Sequence, residues 1–413
     1  MSTRQVVRAP LAVFSALVLV GLMFALLTPS PHLALAQETS PNQPQAPLAC
    51  EPDGVQTSGA AYRICMPSVW NRTLVVYAHG YVDPALPPGI PEDQLGVPGL
   101  NIPNTVTFLG YAFATSGYSV NGLAVQEGMA DLKELVEIFT QAHGAPDRVL
   151  LIGVSEGGLI TALSVEQFPE VYDGGLAICG PLGGFQPQVG YFGDFRAAFD
   201  YFFPDLLPGS PISIPTSLMA DWDNVYTNTV RPVIVDPANA DTVSQLLAVT
   251  GAATDPDPAH HLDSIEKTIE RLLWYNVSAT NDAAVKLGGN PYSNTTTIYA
   301  GSADDTALNA GIARFSADPG VLGLMEAKYT PTGKLPVPLV TAHTTLDPVV
   351  PYFHEGLYAQ KVRAAGSQWR YASVVTDAYG HCTLSTADLL GAFAELESRV
   401  TLPYRLYVPV IQR

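Results

Sequence analysis

The sequence predicts an α/β protein built on a doubly wound, mostly parallel sheet and interrupted by a largely helical insertion. Three observations carry this. Short β-branched runs alternate with helical patterns between Thr73 and Cys179. The alternation stops after Gly180-Pro181-Leu182-Gly183-Gly184 and resumes only at Leu339. Between one strand and the helix after it stands Gly153-Val154-Ser155-Glu156-Gly157-Gly158, a serine set among glycines at the sharpest turn of the alternation.

The N-terminus lies outside this pattern. Arg4 and Arg8 precede an apolar run from Leu11 to Leu27, and Ala34-Leu35-Ala36 offers a cleavage site, so residues 1–36 read as a secretory signal peptide. The run approaches spanning length, and a retained anchor is the competing reading. Residues 37–47 are polar and Pro-rich, a flexible leader. The core then has a first part, 48–184, and a second, 336–413, with the insertion at 185–335.

The first strong strand is Thr73 to Ala78, a buried run of the parallel-sheet kind, ending in His79-Gly80-Tyr81. The next stretch is too proline-dense for a helix or an interior strand. Tyr111 to Ser119 reads as a strand. Val125 to His143 reads as a helix, with Met129, Leu132, Val136 and Phe139 on one face and Gly144 as its C-terminal cap. Arg148 to Ile152 is a strand, Gly157 to Phe168 a helix, and Gly174 to Cys179 a strand.

In the insertion, Phe195, Phe199, Phe202 and Phe203 share a helical face, as do Ile265, Ile269, Leu272 and Leu273. These faces are read first as internal packing of the insertion, a reading compatible with an apolar ceiling over a pocket. The core resumes with a strand from Leu339 to His343, a helix from Glu355 to Ala364 and a strand from Tyr371 to Val375. A last helix starts near Ser385, where Ser-Thr-Ala-Asp forms a capping-box-like start, and runs to Arg399.

Composition narrows the partners. With 38 acidic and 20 basic residues the net charge is −18, and losing Arg4 and Arg8 with the signal lowers it by two. Such a chain repels nucleic acid and anionic lipid, so no nucleic-acid partner and no stable membrane association after cleavage are expected. The expected location is secreted, extracellular or periplasmic. Four cysteines in an exported chain suggest two disulfides. Of three possible pairings the favoured one joins Cys50 to Cys65 as a local clasp, and Cys179 to Cys382.

Ser155, between a hydrophobic strand and an amphipathic helix, is the candidate nucleophile. A serine hydroxyl needs a base, and the base an acid to fix its tautomer. His381, on a short loop before the last helix, is the candidate base. Asp347, directly after the strand at Leu339, is the candidate acid, with Asp304, Asp305 and Asp377 as rivals. Backbone N–H groups of Glu156 and Tyr81 are the candidate oxyanion donors, and His79 reads as a brace for the Tyr81 loop. The Glu156 side chain has two readings, a binder of a substrate amine or a surface carboxylate. Cys382 beside His381 ties the histidine loop to the strand neighbouring the serine turn. No metal or organic cofactor is expected.

Together, His79-Gly80 after an early strand, GVSEGG, TLDPVVP and YGHC resemble the α/β-hydrolase superfamily over residues 70–183 and 336–400. The resemblance implies an α/β-hydrolase fold with a lid insertion and a Ser-Asp-His triad. The His381-Cys382 dipeptide is similar to tannase and feruloyl-esterase relatives, in which a cysteine also precedes the nucleophile; here that residue is Val154. The expected activity is a secreted serine hydrolase cleaving small-molecule or polymeric carboxylic esters through an acyl-enzyme. The alternatives are a secreted serine peptidase or aminopeptidase of the same fold, and a non-catalytic binding protein on a hydrolase scaffold.

Overall fold

The computed structural model describes residues 50–97 and 100–401; the expected signal and leader, 1–47, and the chain beyond 401 lie outside the described residues. Eight strands form one sheet: β1 Gly54–Val55, β2 Ala61–Cys65, β3 Thr73–Ala78, β4 Ala112–Ser116, β5 Arg148–Val154, β6 Gly174–Ile178, β7 Leu339–Leu346 and β8 Tyr371–Tyr379. Their spatial order is β1-β2-β4-β3-β5-β6-β7-β8. Only β1 with β2 and β2 with β4 are antiparallel; the remaining pairs are parallel. The central strand β3 is buried along its whole length, as a strand covered on both faces must be. From β3 the chain steps one way to β4 and the other way to β5, so the carboxyl ends of β3 and β5 flank a topological switch point, where open α/β sheets hold their ligands.

Helices α1 (Ile102–Phe108), α2 (Val125–His143) and α3 (Glu156–Gln167) belong to the first part of the core. One face of the sheet packs on α2 and α3 through Leu132, Leu135, Phe139, Leu159 and Ile160, all fully buried. Two edge elements, β2 and α1, carry no strong pattern in the sequence. The former alternates only weakly, and the latter is a single short helix started by Asn101, whose Oδ1 accepts from the Asn104 N–H at 2.9 Å.

The last two strands run further than the apolar runs that announce them. β7 continues through Thr344, Thr345 and Leu346, and β8 through Thr376 to Tyr379, with a register irregularity between Thr376 and Tyr379. Threonine supports a strand as well as valine does, but it breaks the hydrophobic signal. The extension delivers Asp347 and the loop of His381 to the same edge as Ser155.

Residues 185–335 leave the sheet after β6 and return to it at β7. They carry α4 (Phe185–Phe202), α5 (His261–Leu287) and shorter helices around an apolar cluster of their own. Phe195, Phe199, Phe203, Ile269, Leu272 and Leu273 are buried inside that cluster, with Phe202 and Ile265 against it. The two predicted faces therefore pack on each other. The ceiling reading is corrected for these residues, because other side chains of α4 and α5 face the pocket.

The second core part adds α6 (Phe353–Ala364) and α7 (Thr386–Thr401). The start of α7 is a reciprocal capping pair: the Asp388 N–H donates to Ser385 Oγ at 3.1 Å, and the Ser385 N–H donates to Asp388 Oδ2 at 3.2 Å. Disulfides join Cys50 to Cys65 and Cys179 to Cys382. The second closes a loop of 203 residues between the end of β6 and the residue after His381. Replacing Cys179 and Cys382 by serine is expected to lower the unfolding free energy by about 2–5 kcal/mol in denaturant titration and to slow turnover. Mass spectrometry of unreduced peptides that found another pairing would overturn this.

Candidate active site

At the end of β5 the chain must turn into α3 with almost no room. A Cβ on Gly153 would lie 1.9 Å from the Gly157 carbonyl oxygen, and one on Gly157 would lie 2.1 Å from that of Ala78. Only glycine fits either place. Ser155 between them takes φ 58°, a conformation that side-chain-bearing residues avoid and that surrounding structure must enforce. Its N–H donates to the Ile178 carbonyl at 2.8 Å, which ties the turn to β6. The result is a strained strand-to-helix turn of the shape that holds a nucleophile in serine hydrolases, with the Ser155 hydroxyl presented at the carboxyl edge of the sheet.

The structure brings the three candidate side chains together. Ser155 Oγ lies 2.9 Å from His381 Nε2, and His381 Nδ1 lies 2.7 Å from Asp347 Oδ2. A proton on Nδ1 satisfies both contacts, with the serine hydroxyl donating to Nε2. Asp347 is 1% exposed, and its other oxygen accepts from the N–H groups of Val349 (2.8 Å) and Val350 (3.0 Å). Burial alone pushes its carboxyl up, but His381 and a second imidazole, His343, outweigh burial and hold it down at about 2. The rivals sit elsewhere. Asp377 is exposed and accepts from Thr345 Oγ1 at 2.7 Å, while Asp304 and Asp305 cap a short helix of the insertion.

The Tyr81 loop reaches the serine. A Cβ on Gly80 would lie 3.1 Å from Ser155 Cβ. Gln94, from the Pro-rich stretch, fixes this loop from both sides: its Oε1 accepts from the Gly80 N–H at 2.8 Å and its Nε2 donates to the Tyr81 carbonyl at 3.1 Å. His79 is buried and stacked on Tyr118 at 3.8 Å, with Nδ1 at 2.7 Å from the Gly80 carbonyl. Burial lowers its imidazole to about 4, so it is a neutral brace at neutral pH. Among the described residues the N–H groups of Glu156, at the start of α3, and of Tyr81 have no hydrogen-bond partner.

The Glu156 side chain is not a surface carboxylate. It is 8% exposed, turned inward, and accepts from the Ala124 N–H at 3.0 Å. Burial pushes its carboxyl up to about 8, against the opposing pull of that N–H and of Lys286. Lys286 and Asp282, on α5, hold the neighbouring loop: Asp282 Oδ2 accepts from the Leu123 N–H at 2.8 Å, and Lys286 Nζ donates to the Asn121 carbonyl. These two residues thereby lock the insertion to the core beside the serine.

Ser155 and Glu156 open into an apolar cavity walled by Leu123, Leu159, Phe185, Phe192, Tyr275 and Val350, among others. Phe192 of α4 and Tyr275 of α5 stack at 5.0 Å and supply the wall that the insertion contributes. Cys179, His381 and Cys382 bring three metal-binding atoms within 4.8 Å, but the two sulfurs are bonded to each other, so the set does not fit a metal ion.

In the sequence His343 reads only as a strand residue, a weaker base than His381, and Gln94, Asp282, Lys286 and Glu355 are not singled out. For His343 a signal existed, an ionisable residue inside an otherwise buried strand and four positions before the candidate acid. The rest come from distant segments, and nothing local marks them.

No family model matches the chain, and no curated protein matches it. Among solved structures it is similar to Candida antarctica lipase A in its closed state, at 13% identity, covering 85% of this chain and 77% of that one with a TM-score of 0.45. It is also similar to the rice cell wall degrading esterase LipA from Xanthomonas oryzae, at 13% identity, 84% and 86% coverage and a TM-score of 0.41. An acylaminoacyl peptidase matches at 10% identity and a TM-score of 0.42; 84% of this chain is covered, but it spans only 40% of the peptidase. The α/β-hydrolase fold itself rests on the strand order and the strained turn at Ser155.

Glu156 sets a prediction. Above pH 8 it ionises inside an apolar wall, facing Lys286 but also Asp282 and Glu127. Labelling of Ser155 by an uncharged fluorophosphonate is expected to slow about tenfold per pH unit above that point, and Glu156→Gln to hold its rate there. Stability follows the same sign. The unfolded chain gives up this proton near 4.5, so the group costs stability as pH rises from 4.5 to about 8, and the glutamine variant loses that dependence. Coincident pH profiles for both proteins would sink the idea.

Proposed function

We propose that this chain is an exported serine hydrolase that cleaves carboxylic esters of apolar acyl groups. The observation that carries the reading is the hydrogen-bonded run Ser155–His381–Asp347 at the mouth of an apolar cavity. Ser155 Oγ attacks the ester carbonyl while His381 Nε2 takes its proton, and Asp347 stabilises the imidazolium that forms. The oxygen that becomes negative is received by the Glu156 and Tyr81 N–H groups, the first aided by the positive end of α3. His381 then returns the proton to the leaving alcohol, and in the second half it activates water to release the acid from Ser155.

Ester is favoured over amide on chemical grounds. An alkoxide leaves more readily than an amine, so a triad with an oxyanion site suffices. Recognition of a peptide amine needs an anionic group in the cavity. The acidic residue of the cavity wall is Glu156, held protonated at neutral pH by burial. The two disulfides support export, and among the described residues no helix is long and apolar enough to cross a membrane.

The test compares p-nitrophenyl acyl esters of increasing chain length with aminoacyl p-nitroanilides, using residues 37–413. Ester hydrolysis that rises with acyl length and falls at least about 10³-fold in Ser155→Ala, with an unchanged circular dichroism spectrum, is expected. Dominant anilide turnover would move the protein to the peptidases. Silence on both, with no labelling of Ser155 by a fluorophosphonate, would leave a binding protein on this scaffold.

A further inference from the structure

Behind Asp347 lies a second imidazole and a second carboxylate that the reaction above does not use. His343, on β7, is fully buried. Its Nε2 donates to the Val350 carbonyl at 2.8 Å and lies 3.5 Å from Asp347 Oδ2, the oxygen that also receives His381. Its Nδ1 lies 3.4 Å from Glu355 Oε1, on α6. Glu355 is 3% exposed, and its other oxygen accepts from Thr341 Oγ1 (2.7 Å), Tyr371 OH (3.0 Å) and Ser373 Oγ (3.1 Å). Three donors on one oxygen orient the carboxylate and leave Oε1 turned to His343. Ser155, His381, Asp347, His343 and Glu355 thus follow one another from the surface of the cavity to the sheet interior, the first two links hydrogen bonds and the last two ion-pair distances of 3.5 and 3.4 Å.

We propose that His343 and Glu355 are positioning residues for the triad: His343 holds the Asp347 loop and offsets part of the charge on its carboxylate, Glu355 orients the His343 imidazole and adds its own charge behind it, and together they fix the pH range in which His381 serves as a base. The inference rests on the triad reading given above. Two features of the geometry support it beyond core filling. The Val350 carbonyl bonded by His343 belongs to the residue whose N–H is bonded by Asp347, so one imidazole pins both ends of the acid's own turn. And an imidazole between two buried carboxylates is held protonated: burial pushes His343 down, but Asp347 and Glu355 overcome it and raise it to about 9.

The surrounding titratable groups leave this charge pattern intact. His354 faces His343 from α6 and is lowered to about 3 by burial and by the His343 charge, its Nδ1 accepting from the Gly183 N–H at 3.1 Å. Tyr352 stands edge-on to His343 at 5.9 Å, and Tyr371 bonds Glu355. Toward Asp347 lie Tyr191 and Tyr275 from the insertion and Tyr379 from β8, all phenols raised by burial and so neutral at working pH. The balance around His381 is therefore two buried carboxylates against one buried cation.

Removing either partner must shift that balance in opposite directions. The rate of fluorophosphonate labelling of Ser155, measured against pH on the full mature chain, reads it directly. His343→Gln removes the cation and is expected to move the acidic limb of the profile to higher pH. Glu355→Gln removes an anion and is expected to move it to lower pH. Each shift is on the order of one pH unit, and the double variant should return close to the wild type. If His343→Gln fails to fold, the downward shift in Glu355→Gln decides alone. Folded variants whose limbs stay in place, or shift in the same direction, overturn the proposal and leave the pair a structural one. Wild-type protein that takes no label at Ser155 overturns the triad reading first and this inference with it.

Discussion

The close approach of three backbones at the end of β5 is the constraint from which the rest of the site follows. The Gly153 and Gly157 positions leave no room for a side chain, and Ser155 between them is forced to positive φ. That single turn does three things at once. It lifts the hydroxyl clear of the sheet, starts α3 directly beneath it, and points the next residue inward. The same crowding brings the Gly80 loop from β3 against the serine, so the two N–H groups offered for an oxyanion are set by backbone packing and not by side-chain choice.

The imidazole and its acid then have to be delivered to this fixed point. They arrive on β7 and β8, which are paired along most of their lengths and end together. The lengthened strands leave short loops: Asp347 is the first residue past β7, and His381 lies two past β8. Thr344 Oγ1 donates to the Gly380 carbonyl at 2.7 Å, and the Gly380 N–H donates to the Leu346 carbonyl at 3.1 Å, which joins the two loops to each other. The bond from Cys382 to Cys179 joins them to β6. His381 is thus anchored beside the strand that also fixes the Ser155 N–H, and the distance between Ser155 and His381 depends on the neighbouring residues Ile178 and Cys179.

What was legible in the sequence follows the same logic. Interactions that depend on a local pattern could be read: Ser155 from its glycines, Asp347 and His381 from their places after strands, and the helix Val125–His143 from its apolar face. The ends of β7 and β8 could not, because threonine carries no hydrophobic signal where it continues a strand. The cavity walls were not legible for a related reason. Helical spacing identifies a buried face of α4 and α5 but not which of two buried surfaces it meets. Phe195 and Leu272 lie in the insertion's own apolar cluster, whereas Phe192 and Tyr275 line the cavity. Gln94 and Lys286 act across long stretches of chain, and only the fold brings them to the loops they hold.

Two carboxyl groups near Ser155 show how far the environment decides chemistry. Asp347 and Glu156 are both almost wholly buried, yet one is held near 2 and the other near 8. Burial acts on both in the same direction, so the difference lies in what each faces. Asp347 receives two backbone N–H groups and two imidazoles, enough hydrogen bonds and positive charge to make the anion the cheaper state. Glu156 receives one N–H, faces a cavity of aliphatic and aromatic walls, and has Asp282 and Glu127 acting against Lys286. Environments that split like groups this far are how one site keeps an anion to steady a base and a neutral acid beside the substrate. An ionised Glu156 would add a second negative charge next to the forming oxyanion and raise the barrier that the N–H pair lowers. In the proposed reaction the apolar cavity therefore serves twice, once by accepting an acyl group and once by keeping the nearest carboxyl uncharged.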